Sequence, residues 1–161
     1  MYNKIHIGVI GAGDCPQKIF SIAVELGYLI GQNGWILICG GLRGVMEGAA
    51  KGCYRAHGMT VGILPGNKKS AANPFIRLAI PTGLDEGRNL LVVRASDVVV
   101  AIAGGYGTLS EISLALKIGK PVIGIKTWTG IEGIHYADTP QSAIEAVTRY
   151  LSELSRKNLY R

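Results

Sequence analysis

The sequence predicts an α/β protein built on a doubly wound, mostly parallel sheet, and three observations predict it. First, apolar runs rich in β-branched residues, above all Asp97-Val98-Val99-Val100-Ala101-Ile102-Ala103, show no polar alternation. Such runs suit strands buried on both faces. Second, segments with helical apolar spacing separate these runs, giving a βαβαβ alternation along the chain. Third, glycine-rich turns follow three of the strands: Gly11-Ala12-Gly13, Gly40-Gly41-Leu42-Arg43-Gly44 and Gly104-Gly105-Tyr106-Gly107.

Taken in order, Lys4 to Ile10 reads as the first strand. Asp14 reads as an N-cap, with Pro16 in the first turn and Gln17 three residues on, opening a helix to about Gln32. Trp35 to Cys39 is a short apolar strand, Val45 to His57 a helix, and Met59 to Leu64 a third strand. Pro65 to Pro74 is the longest irregular stretch, rich in Gly, Asn, Lys and Ser, and is expected to be mobile. Ile76 to Ile80 reads as a short strand, Pro81-Thr82-Gly83 as a turn, and Asp85 to Ala95 as a helix. The strand Asp97 to Ala103 precedes a helix over Leu109 to Ile118, with apolar Leu109, Ile112 and Leu116. Pro121 to Ile125 is another buried strand, and Thr139-Pro140 opens the last helix, to about Ser155. With neither a linker nor an internal repeat in 1–161, a single domain is expected.

Composition narrows the function. The hydrophobic fraction of 48% and the 23 glycines suit a folded α/β chain with many tight turns. No apolar run approaches the ~20 residues needed to span a bilayer, and the N-terminus lacks a signal peptide's apolar segment, so no membrane role and a cytoplasmic location are expected. Cys15, Cys39 and Cys53 form no C-x-x-C pair, and His6, His57 and His135 show no ligand spacing; neither a disulfide framework nor a metal site is expected. The net charge of +6 lies partly in Lys68-Lys69 and partly in the tail Arg149, Arg156, Lys157 and Arg161. It comes without aromatic interleaving or a helix-turn-helix pattern, so anionic small molecules are expected as partners rather than nucleic acid.

In a doubly wound sheet, ligands sit beyond the carboxyl ends of the strands, where strand order reverses. The three glycine loops share that rim. A strand that ends in glycines and restarts as a helix offers free N–H groups at the positive end of a helix dipole, a site for an anion such as phosphate. A second reading stays open for the third loop. Thr108 and Glu111 have the T-x-x-E spacing of a capping box and would then only satisfy helix N–H groups. Two nucleotide motifs are excluded. The dinucleotide fingerprint starts at Gly11-Ala12-Gly13 but has Pro16 where its third glycine belongs, and Cys39-Gly40 stands where a ribose-binding acid should. The only Gly-Lys, at Gly119-Lys120, runs into Pro121, so there is no P-loop.

The stretch Gly104-Gly105-Tyr106-Gly107-Thr108-Leu109-Ser110-Glu111 resembles the P-G-G-x-G-T-x-x-E motif of the LOG ("lonely guy") proteins, formerly called lysine decarboxylases. Cys39 to Met46 is similar to the family's G-G-G-x-x-G-x-M-G loop, Ser96-Asp97 opens the strand as in that family, and Arg88 falls where its M-H-x-R-K arginine does. The resemblance runs from about Ile5 to Ile125. It implies a Rossmann-like three-layer sandwich that forms homodimers or higher homo-oligomers. Characterised members hydrolyse the N-glycosidic bond of cytokinin nucleoside 5′-monophosphates. By that resemblance Gly104, Gly105, Gly107 and Thr108 hold the 5′-phosphate, and Arg88 and Glu111 are catalytic. Gly11, Gly13, Gly40, Gly41 and Asn89 complete the expected nucleotide site, with Tyr106 at the loop tip; for Tyr106 and Asn89 two readings stay open, contact with a base or simple exposure. The chemistry is coherent: ribosyl cleavage builds an oxocarbenium-like sugar that a carboxylate stabilises, while an arginine suits the phosphate.

Departures point to a sister branch. Ala103 replaces the motif's proline, Ser110 a glutamate usual in cytokinin-releasing members, and Asp85-Glu86-Gly87-Arg88-Asn89 the M-H-x-R-K segment. Ala72-Asn73-Pro74, Pro81-Thr82-Gly83-Leu84 and Arg88-Asn89 resemble molybdenum-cofactor carrier proteins, which bind a phosphate-bearing pterin without converting it. Two functions therefore stand: a nucleoside 5′-monophosphate phosphoribohydrolase, or a non-catalytic carrier of molybdenum cofactor or a related phosphorylated molecule. Neither requires a resident cofactor; the expected ligand is AMP-like or molybdopterin-like. Lysine decarboxylation is excluded, since no lysine is set up to hold pyridoxal phosphate.

Overall fold

The computed structural model describes residues 4–159. Its strands are β1 (His6–Gly11), β2 (Ile36–Cys39), β3 (Met59–Leu64), β4 (Leu78–Pro81), β5 (Val98–Ile102), β6 (Val122–Ile125) and β7 (Ile134–Tyr136). Its α-helices are α1 (Gln17–Gln32), α2 (Val45–Arg55), α3 (Arg88–Arg94), α4 (Tyr106–Lys117) and α5 (Pro140–Leu159). All strand pairs are parallel, in the order β4-β3-β2-β1-β5-β6-β7. The unbroken apolar runs thus do occupy a doubly wound parallel sheet.

Alternate side chains of each strand feed opposite layers. Val98, Val100 and Ile102 pack with Ala23 and Leu26 of α1, Ala49 of α2 and Val147 of α5. Val99 and Ala101 pack with Val92 and Val93 of α3 and Ile112 and Ala115 of α4. That gives three layers. No helix among the described residues is long and apolar enough to cross a membrane.

Several local expectations change. Asp14 does not cap α1: Pro16 occupies the N-cap in an extended conformation with no side-chain cap bond, because Asp14 lies too far upstream to reach the second or third helical amide. The segment expected as one helix from Asp85 begins as a 3-10 turn over Asp85–Gly87, since Asp85 takes a left-handed φ of 46°. The Pro65 to Pro74 stretch is tied down by buried Asn73, whose N–H donates to Gly41 O at 2.9 Å and whose Nδ2 donates to Leu42 O at 2.7 Å. Strand β7 has no counterpart in the reading of the sequence; at three residues it is too short to show a pattern. The Thr139 cap is present: Ser142 N–H donates to Thr139 Oγ1 at 3.1 Å. The tail residues Arg156, Lys157 and Arg161 lie outside the residues whose side chains are described.

Strand order reverses between β1 and β5, which are adjacent in the sheet although about ninety residues of chain, winding out to β4 and back, separate them. The loops leaving these two strands therefore flank one crevice.

Candidate functional site

A cavity of about 200 Å³ opens at that crevice. The loop after β1 contributes Gly11 and Gly13, the loop after β2 Gly40, α2 Met46, α3 Arg88 and Asn89, and α4 Gly107, Thr108 and Glu111, with Gly105 just before it. Helix α4 starts at Tyr106, three residues earlier than its apolar pattern suggests, with Gly105 at the N-cap and no side-chain cap bond. The capping-box reading of Thr108 and Glu111 therefore falls. Both sit inside the helix, buried, on the cavity wall. The first-turn amides of Tyr106, Gly107 and Thr108 have no intrahelical acceptor.

Arg88 opens α3, only 8% exposed, and its Nε has no hydrogen-bond partner among the described residues. Gly40 makes room for it, since a Cβ there would overlap the guanidinium. Burial lowers the Arg88 pKa, with the Glu111 charge opposing that shift. Burial pushes Glu111, 7% exposed, up to about 7, while Arg88 pulls it back down. A desolvated cation thus shares the cavity with a carboxyl that titrates near neutrality.

Of the remaining expected site residues, three lie off the cavity wall. Gly41 takes a φ of 76° and packs toward Leu64 and Gly62. Gly104 takes a φ of 100° and lies against the Thr108 side chain, so it shapes the turn rather than lining it. Tyr106 is 82% exposed and pairs with the Trp128 ring at 5.6 Å between centroids.

The turn itself is braced from the segment after β6, which the sequence reading passed over. Thr127 Oγ1 donates to Ala103 O at 2.6 Å, and Trp128 Nε1 donates to Gly105 O at 3.1 Å. Ala103 stands at φ 49° and neighbouring Lys126 at φ 48°, left-handed values that cost non-glycine residues of order 1–3 kcal/mol. Proline is locked near −65° and could not adopt the Ala103 conformation. The departure from the P-G-G motif is thus a change of backbone path, not only of side chain. Ser110, a second departure, is exposed.

A second, open groove of about 670 Å³ adjoins the cavity, sharing Gly13 and Met46 with it and walled by Leu42, Glu47 and the 70–74 segment. The sequence reading did not single out Glu47, although it stands where the G-G-G-x-x-G-x-M-G pattern ends in glycine, while Asn73 lay in a segment singled out only by resemblance. Among the described residues no cluster of His, Cys, Asp and Glu could hold a metal ion.

Comparison with known proteins bears on the family and the fold. The profile of the SLOG cluster4 family matches residues 4–153. An uncharacterized protein of Archaeoglobus fulgidus is 45% identical over 140 residues, 87% of this chain and 92% of its own. The molybdenum cofactor binding protein of Rippkaea orientalis superposes with a TM-score of 0.89 at 36% identity, covering 94% of this chain and 99% of that one. The cytokinin riboside 5′-monophosphate phosphoribohydrolase of Mycobacterium tuberculosis is 28% identical over 136 residues, 76% of this chain and 71% of its own.

Proposed function

The chain belongs to the SLOG cluster4 family, and from that premise we propose that it binds a phosphorylated heterocycle at the β1–β5 rim as a non-catalytic carrier. One observation carries this reading: the buried Arg88 guanidinium, with its Nε unpaired, in a cavity lined by glycines. A buried cation without a full set of acceptors is costly, and a dianionic phosphate supplies both charge and acceptors. The first-turn amides of Gly107 and Thr108, on the cavity wall, complete the phosphate cradle. The likeness to the Rippkaea orientalis protein over nearly the whole of both chains supports a molybdopterin-type cargo.

A second reading, hydrolysis of a nucleoside 5′-monophosphate, is favoured by Glu111. A carboxyl near neutrality beside the phosphate cradle suits an acid that protonates a departing base. Exposed Ser110 leaves that reading with one carboxyl where a two-acid mechanism needs a pair. The proposal includes a homodimer, supported by exposed Leu84 and Leu91 on either side of Arg88 in the chain.

Calorimetric titration with inorganic phosphate and AMP, followed by chromatography for free adenine, tests both readings. Binding without base release, weakened about a hundredfold in Arg88→Ala, is the expected result. Adenine release lost in Glu111→Ala would make the protein a hydrolase. Absence of phosphate binding, or binding indifferent to Arg88→Ala, overturns the site.

A further inference from the structure

We propose that the groove beside the phosphate cavity is a ring-binding site in which Glu47 selects a 2-amino-4-oxopyrimidine edge, the edge shared by pterins and guanine. The inference rests on the phosphate site above and specifies what the phosphate is attached to.

The groove continues the phosphate cavity, because Gly13 and Met46 line both. Gly13 leaves the passage open; only Met46 Cε, at 3.9 Å, comes near a Cβ placed there. At about 670 Å³ the groove falls within the range that holds small organic ligands. Its walls are fixed in advance. Asn73 ties the 70–74 segment to the Gly40 loop through both its N–H and its side-chain amide. Leu42, Met46, Ala72 and Pro74 supply apolar surface for a flat ring.

Glu47 is the one carboxylate on that wall, half-buried in the first turn of α2. A carboxylate only accepts hydrogen bonds, and its two oxygens match two parallel N–H donors. The 2-amino-4-oxopyrimidine edge presents such a pair, a ring N–H beside an exocyclic NH2. Adenine presents one N–H donor beside a ring-nitrogen acceptor, which would face the second carboxylate oxygen lone pair to lone pair. A site built for two donors disfavours a ligand that offers one, since a carboxylate oxygen covered by the ring is left facing a lone pair instead of a donor. The position is also where the G-x-M-G loop pattern has glycine, so a chain following that pattern would lack the carboxylate.

The test titrates the full chain with ribose 5-phosphate, AMP, GMP and 6-hydroxymethylpterin phosphate, in the wild type and in Glu47→Gln. Ribose 5-phosphate reports the phosphate site alone and should bind both proteins equally. GMP and the pterin phosphate should bind the wild type at least about tenfold more tightly than AMP, the worth of one charge-assisted hydrogen bond. Glu47→Gln, which presents one donor and one acceptor, should lose or invert that preference. The tighter of GMP and the pterin phosphate names the ring. AMP binding as well as GMP to the wild type, or a GMP preference that survives in Glu47→Gln, overturns the inference while leaving the phosphate site standing. Ribose 5-phosphate failing to bind the wild type overturns the phosphate site instead, and with it this inference.

Discussion

The two ends of the sheet make an instructive pair. Beyond the amino ends of the strands lies a cavity of about 610 Å³, three times the volume of the one at the β1–β5 rim, and it too is lined by charged side chains, Lys4, Asp97 and Lys120, with His6 beside them. There, polar groups are spent on the fold. Lys120 Nζ donates to Ser96 O at 2.6 Å, and Asp97 Oδ2 accepts the His6 N–H at 2.8 Å, fastening β1 to the start of β5. At the rim, by contrast, Arg88 Nε is buried without a partner and Glu111 is held protonated up to neutral pH. Volume therefore does not mark out the proposed site. A buried polar atom left unsatisfied beside a desolvated carboxyl does, because folding alone gives no reason to keep them.

The contrast can be broken first at Glu111. Its pKa stands at about 7 in the fold against 4.5 unfolded, so the folded state binds the extra proton between those values. The stability contributed by Glu111 should then fall as pH rises from about 4.5 to about 7 and level off above, with a total on the order of 3 kcal/mol. Glu111→Gln should abolish that slope and be the more stable protein above pH 7, as urea denaturation across pH would show. A wild type whose stability rises over the same interval would mean that Glu111 is paired like an ordinary structural acid.

The brace is the next largest effect. Thr127→Val removes the donor to Ala103 O while keeping the shape, and should weaken inorganic phosphate binding about tenfold by letting the turn relax. Thr127→Ser should retain binding. Adding Ala103→Gly to the Thr127→Val protein should recover part of the loss, because glycine holds a left-handed φ without strain. Phosphate affinity unchanged in Thr127→Val would reduce the Thr127 bond to a structural detail.

The smallest effect belongs to the far end. Lys120→Met deletes the bond to Ser96 O and should cost about 1 kcal/mol of stability, read as a lowered Tm, with phosphate affinity untouched. A change in affinity there would erase the distinction between the two ends.

The sequence by itself determined the sheet and the rim. Unbroken apolar runs such as Val98 to Ile102 can be satisfied only between two helical layers, and the glycine turns after β1, β2 and β5 fall on one edge once those strands run parallel. Periodicity and turn chemistry are local, so they can be read from neighbours in the chain. Tertiary structure alone decided that Arg88 is buried under Gly40, that Glu111 sits on the cavity wall rather than in a cap, and that Thr127 and Trp128 hold the turn from β6. It also decided which glycines line the cavity and which only shape it. Burial, charge coupling and cross-strand bracing depend on groups far apart in sequence, and no local pattern encodes their meeting.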